Sequence, residues 1–133
     1  MSKNNSIFLG KVIYRTLSEV EELKPILQGR IYPIVAEKST VFPYMVYYRT
    51  SIQNISQNKD GYNEDLYTFE VVILSTKYEE SLLIANLVRN TLEKKELRQD
   101  NLQIESIKLT DGEEGFNENT YIQKLIFQAR ITN

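Results

Sequence analysis

The chain has 133 residues, 41% hydrophobic and 26% charged, which allows one domain with a core and excludes a wholly disordered protein. Its 16 basic and 18 acidic residues leave a net charge of −2, so sequence-independent binding to a phosphate backbone has no driver. With no Cys and no His, disulfides, thiolate metal sites and imidazole bases are excluded.

No apolar run approaches the roughly 20 residues that span a bilayer. The opening MSKNNSIFLGK lacks the apolar core and cleavage site of a signal peptide, so an intracellular protein with no membrane partner is expected. Residues 6–17 place Ile7, Phe8, Val12, Ile13 and Leu17 at helical spacing. Ser18 and Glu21 then form a capping-box pattern, predicting a short second helical segment over 19–27 that ends at Gly29. Residues 30–35 read as a short strand that Pro33 confines to an edge or a bulge. Pro43 opens a strand over 44–52.

Residues 51–65 read as a long polar loop containing Asp60-Gly61, a turn signal. In the strand expected over 66–75, Tyr67, Phe69, Val71 and Ile73 share one face, which we place on the core. Thr76 and Glu79 make a second capping box before a helix over about 79–96. Its buried stripe is Leu83, Ile84, Leu87, Val88 and Leu92, with Glu80, Arg89, Lys94 and Lys95 facing water. A strand over 102–109, an acidic turn-rich loop over 110–119 and a last strand over 120–132 complete the chain. The inward face of that strand is Tyr121, Leu125, Phe127, Ala129 and Ile131. The order is helix, strand, strand, strand, helix, strand, strand. It implies a single two-layer α+β domain: an antiparallel or mixed sheet of four to five strands with two main helices on one face.

The chemistry-bearing patterns are sparse. The tyrosines lack the interleaved bases that stacking on nucleic acid needs, so they read as core and subunit contact. Asp111, Glu113, Glu114 and Glu118, with Gly112 and Gly115, do not follow EF-hand spacing and read as a solvated hairpin turn. No nucleophile elbow, phosphate loop or paired carboxylate site is evident, so neither an enzyme nor a cofactor is expected. Gln53, Asn54, Gln57, Asn58 and Lys59 lie near the tip of the long polar loop, which is equally well a mobile connection or a partner-binding arm.

One resemblance runs through most of the chain. Gly29-Arg30-Ile31-Tyr32-Pro33 comes first, then Phe42-Pro43-Tyr44-Met45-Val46-Tyr47-Tyr48. A strand running into a helix over 68–95, the acidic Asp111-Gly112-Glu113-Glu114 and the last strand over 121–131 follow in order. This arrangement resembles the tail-completion proteins of long-tailed bacteriophages, also called tail terminators or head–tail joining proteins.

The resemblance implies a homo-oligomeric six-fold ring that caps the tail tube, stops its growth and meets the head-completion or connector protein. It implies no catalytic residue, cofactor or specific nucleic-acid binding. Assembly would occur in the bacterial cytoplasm, with the protein ending at the head–tail junction of the virion. On this reading Tyr32, Tyr47, Tyr48 and the loop from Gln53 to Lys59 contact subunits or partners. Asp111, Glu113 and Glu114 would line the lumen, where negative charge lets DNA slide. The alternative is a small protein-binding module of a bacterial system that recognises partners along a sheet edge, without catalysis.

Overall fold

The computed structural model describes residues 5–55, 63–93, 96–99 and 101–132. A 3-10 turn (Ser6–Phe8) enters helix α1 (Leu9–Ser18), followed by the single turn α2 (Lys24–Leu27). Strands β1 (Ile31–Pro33), β2 (Tyr44–Asn54) and β3 (Glu64–Ser75) come next, then helix α3 (Tyr78–Leu92). Strands β4 (Leu97–Gln99), β5 (Leu102–Asn117) and β6 (Thr120–Thr132) follow. They form one sheet in the order β1-β2-β3-β6-β5-β4, with β1 parallel to β2 and the other pairs antiparallel.

The expected four- to five-stranded sheet with two main helices is therefore corrected. The sheet has six strands, curls into a half-barrel and carries three helices. Strand β4 has three residues, too few for a periodic signal. The acidic stretch expected as a loop is strand, because β5 continues to Asn117 in register with β6. Only Glu118 and Asn119, at φ 49° and 61°, make the turn.

Alternation decides which side of the sheet is core. Along β3 every second residue is buried, and Tyr67, Phe69, Val71 and Ile73 face inward as expected. Leu125, Phe127, Ala129 and Ile131 of β6 lie beside them. Phe69 and Phe127 are cross-strand partners whose rings stack 5.3 Å apart. Helices α1 and α3 cover this face with Leu9, Val12, Ile13, Leu17, Ile84, Val88 and Leu92. The predicted α3 stripe holds except at Leu83, which is 51% exposed, while Ser81 and Ala85 are buried. Ile7 and Phe8, predicted within the α1 stripe, are also exposed.

Neither expected capping box forms. The Ser18 hydroxyl donates back to the Arg15 carbonyl at 2.9 Å, inside α1. At the start of α3 no side chain caps the first-turn amides; Ser75 instead ties the strand end to the helix, its Oγ accepting from the Lys77 amide at 3.0 Å and donating to Glu80 Oε1 at 2.7 Å. Glu79 and Glu80 in the first turn suit the positive end of the helix dipole.

The Gly29–Pro33 stretch has a local physical logic. Gln28 and Gly29 take φ 48° and 81° to end α2, a conformation that suits glycine. Arg30 then bridges two segments, donating from Nε to the Pro43 carbonyl at 2.9 Å and from Nη2 to the Ile26 carbonyl at 3.2 Å. Ile31 is buried, and Tyr32 Oη shares a 2.7 Å hydrogen bond with Thr40 Oγ1. Pro33 closes edge strand β1, and the Phe42–Pro43 peptide is cis.

Candidate functional site

Ion pairs and hydrogen bonds decorate the sheet, but among the described residues no three His, Cys, Asp or Glu side chains come together to hold a metal. No described helix is long and apolar enough to cross a membrane. The distinctive features are the two lateral ends of the sheet.

At the first end, a groove of about 980 Å³ runs between α1 and the β1–β2 edge. It exists because β1 is short. Beyond Pro33, the Ile34 amide donates to the Tyr47 carbonyl at 2.8 Å, and there the covering of β2 stops. Ile34 adopts φ 68°, unusual for a β-branched residue, and is 75% exposed. The groove's apolar wall comes from Ile7, Phe8, Tyr14 and Ile34, and its cations are Lys11, Arg15 and Arg49. Lys11 Nζ sits 5.8 Å from the Phe8 ring centroid and the Arg49 guanidinium 6.0 Å from that of Tyr67, within cation–π range. No carboxylate lines the groove among the described residues.

The predicted tyrosines divide by strand face. Tyr47 points inward, 8% exposed, with its ring 6.5 Å from that of Tyr14 on the groove floor. Burial pushes its phenol pKa up, reinforced by the neighbouring Tyr14 and Tyr67 phenols. Tyr48 points to the outer face and donates to Glu70 Oε1 at 3.0 Å. Its pKa is raised by burial and by that bond. Tyr67 is raised by burial, an effect the Arg49 charge opposes. Tyr32 packs edge-on against Tyr44 at 6.3 Å.

Gln53 and Asn54 belong to β2 rather than to a loop tip. Asn54 Nδ2 donates to Asn63 Oδ1 at 2.6 Å and to buried Asp65 Oδ1 at 2.8 Å, and the Ser6 hydroxyl donates to Asp65 Oδ2. This side-chain chain ties the first turn of the protein to β2 and β3. Gln57, Asn58, Lys59 and the Asp60-Gly61 turn lie outside the described residues, as do Lys94 and Lys95.

At the opposite end, Asp111, Glu113 and Glu114 ride on β5. Glu114 accepts from Tyr78 Oη at 3.1 Å and from Gln123 Nε2 at 3.0 Å, which anchors the strand to the start of α3. That bond raises the Tyr78 pKa. Glu113 faces Lys124 across the ladder, and Lys124 reaches Glu70 at 3.7 Å. The exposed Phe116 ring lies 4.8 Å from Tyr121. The fold therefore does not unite the predicted tyrosines and acids: β3 and β6 lie between their strands. Lys11, Arg15 and Arg49 escaped the sequence reading, although residues 6–17 carry more apolar side chains than one helical stripe can bury.

Glu93 closes part of the β5 edge. Its Oε2 accepts from the Leu109 amide at 3.0 Å and its Oε1 from Arg89 Nε at 2.9 Å. The Leu109 bond, then Arg89, holds the Glu93 pKa below the usual carboxylate range. Because the folded value lies below the unfolded one, this contribution is complete above the unfolded pKa and is lost as pH falls through the folded pKa. Solvent screening limits it to about 0.5 kcal/mol. In urea melts, Glu93→Gln should lower stability by that amount at neutral pH, and the two curves should converge in acid.

No protein-family model matches the chain, and no curated protein matches it by sequence. By structure, it is similar to a chain in the virion of a native gene transfer agent particle. The TM-score is 0.79 at 14% identity, over 91% of this chain and 92% of that one. A second solved structure, whose name carries no functional description, is similar at TM-score 0.69 and 9% identity, over 98% and 97%. At such identities the likeness establishes a shared fold across nearly the whole of each chain.

Proposed function

We propose that the protein is a structural component of a phage or phage-like particle, acting as a tail terminator without catalysis. In this role it forms a ring that ends tail-tube growth and presents a surface to the head connector. The observation that carries the reading is the end-to-end fold likeness to a chain of a gene transfer agent virion. The order of motifs from Gly29-Arg30-Ile31-Tyr32-Pro33 to the last strand supports the finer assignment. Ring assembly needs two different complementary surfaces on one subunit. The basic aromatic groove and the acidic β5 edge lie at opposite ends of the sheet and differ in charge. Carboxylates of β5 that remain outside the contact would give the lumen its negative lining.

The groove beside an uncovered strand edge also favours a second reading, a protein-binding module that takes an extended peptide against β2. Light scattering over a concentration series separates the two. The terminator reading expects a mass climbing towards six subunits, and rings by electron microscopy. A stable dimer at every concentration overturns it in favour of the binding module. A monomer that also fails to bind isolated tail tubes overturns it as well.

A further inference from the structure

We infer that neighbouring copies of this chain join head to tail by strand addition. The open half of one copy's β5 pairs with the open half of the next copy's β2, which brings the acidic segment beside the basic groove at α1, with Glu114 on the groove's own face. This rests on the ring reading above and names the contact that builds the ring.

Both sheet edges are half covered. On β2, β1 and the Ile34 amide occupy the outer edge as far as Tyr47, and residues 48–54 have no strand partner on that side among the described residues. On β5, β4 covers residues 102–104 and the Glu93 carboxylate takes the Leu109 amide, while residues 110–117 have no strand partner beyond β6 among the described residues. The two open stretches are of nearly equal length. They also run in opposite directions: β2 and β6 both pair antiparallel with β3, and β5 pairs antiparallel with β6. A copy placed beside its neighbour in the same orientation thus offers β5 antiparallel to β2, the stronger ladder geometry.

The row Arg49, Phe69, Phe127, Leu109 crosses the sheet through its register. The open part of β2 lies to one side of that row and the open part of β5 to the other. Successive copies are therefore staggered along the strands, as sheets that close on themselves are.

Charge selects this pairing over its alternatives. Residues 110–117 carry Asp111, Glu113 and Glu114 and no base, whereas Lys11, Arg15 and Arg49 line the groove beside β2. Two β5 edges would repel, which disfavours a two-fold contact.

The absence of cysteine makes the test clean. Arg49→Cys and Phe116→Cys, whose positions share the helix-covered face of the sheet, are exposed singly and together to a mild thiol oxidant at concentrations covering the light-scattering series. Within a chain the two positions lie three inter-strand steps apart and in different cross-strand rows, which places them more than about 14 Å apart, beyond the roughly 7 Å that a disulfide spans. The expected result is a ladder of covalent multimers from the double variant, and a dimer only when the two single variants are mixed. Dimers from either single variant alone overturn the inference in favour of a two-fold contact. No cross-link in a sample that scatters as an oligomer overturns it and leaves the ring reading standing on another contact. A chain that is monomeric throughout and never cross-links overturns the self-pairing, and the ring reading then falls or survives on its tail-tube binding.

Discussion

Phe127→Ala should destabilise the protein by about 3–5 kcal/mol in urea or thermal unfolding. Phe127 is fully buried on the central strand β6, and its ring stacks 5.3 Å from Phe69 on β3. Removing it deletes the stacking and leaves a cavity that α1, α3 and the two flanking strands cannot all collapse to fill. A domain of this size is stable by about 5–15 kcal/mol, so the substitution removes a large share of the total. A loss under 1 kcal/mol would mean that this pair is not at the centre of the core.

The second large effect separates two adjacent tyrosines. Tyr47→Ala should cost about 3 kcal/mol, because the ring is buried beneath Tyr14 and Tyr67 at the groove floor. Tyr48→Ala should cost only about 1 kcal/mol, because its ring lies on the half-exposed outer face and forfeits chiefly the hydrogen bond to Glu70. Paired urea melts decide this. Equal losses would contradict the face assignment of β2, and a one-residue slip in register would reverse the two values.

Much of the central sheet was legible because the signal was local. Tyr67, Phe69, Val71 and Ile73 recur every second residue, and a strand with one buried face must place them together. Ile84, Val88 and Leu92 declared α3 by helical spacing in the same way. Most of the acidic segment forms strand, which was illegible because Asp, Glu and Gly disfavour strands. Residues 111–117 are held by their register with β6, in a hairpin whose Glu118-Asn119 turn is not one of the usual Asn-Gly or Asp-Gly pairs. β4 was too short to read, and the parallel β1–β2 pairing joins residues on either side of the 34–43 connection.

The candidate surfaces were legible only in part. Aromatic enrichment pointed to Tyr32, Tyr47 and Tyr48, but not to the opposite faces taken by the last two. The groove is assembled from the 3-10 turn, α1, β1, β2 and β3, so its cations Lys11 and Arg49 are neighbours only after folding. Acidity at Asp111, Glu113 and Glu114 was plain, but the strand conformation that gives these residues a pairing edge was not.

The order of strands in the sheet also sets a timetable for synthesis. β6 leaves the ribosome after every other described element, yet it occupies the middle of the sheet, between β3 and β5. Until it arrives, β3 has a bare flank along its entire length and Phe69 lacks its stacking partner. Nothing resembling the finished core can close on a nascent chain. Incomplete translation products would thus lack the united scaffold that presents both ends of the sheet, and a growing assembly would be spared subunits able to join on one side alone.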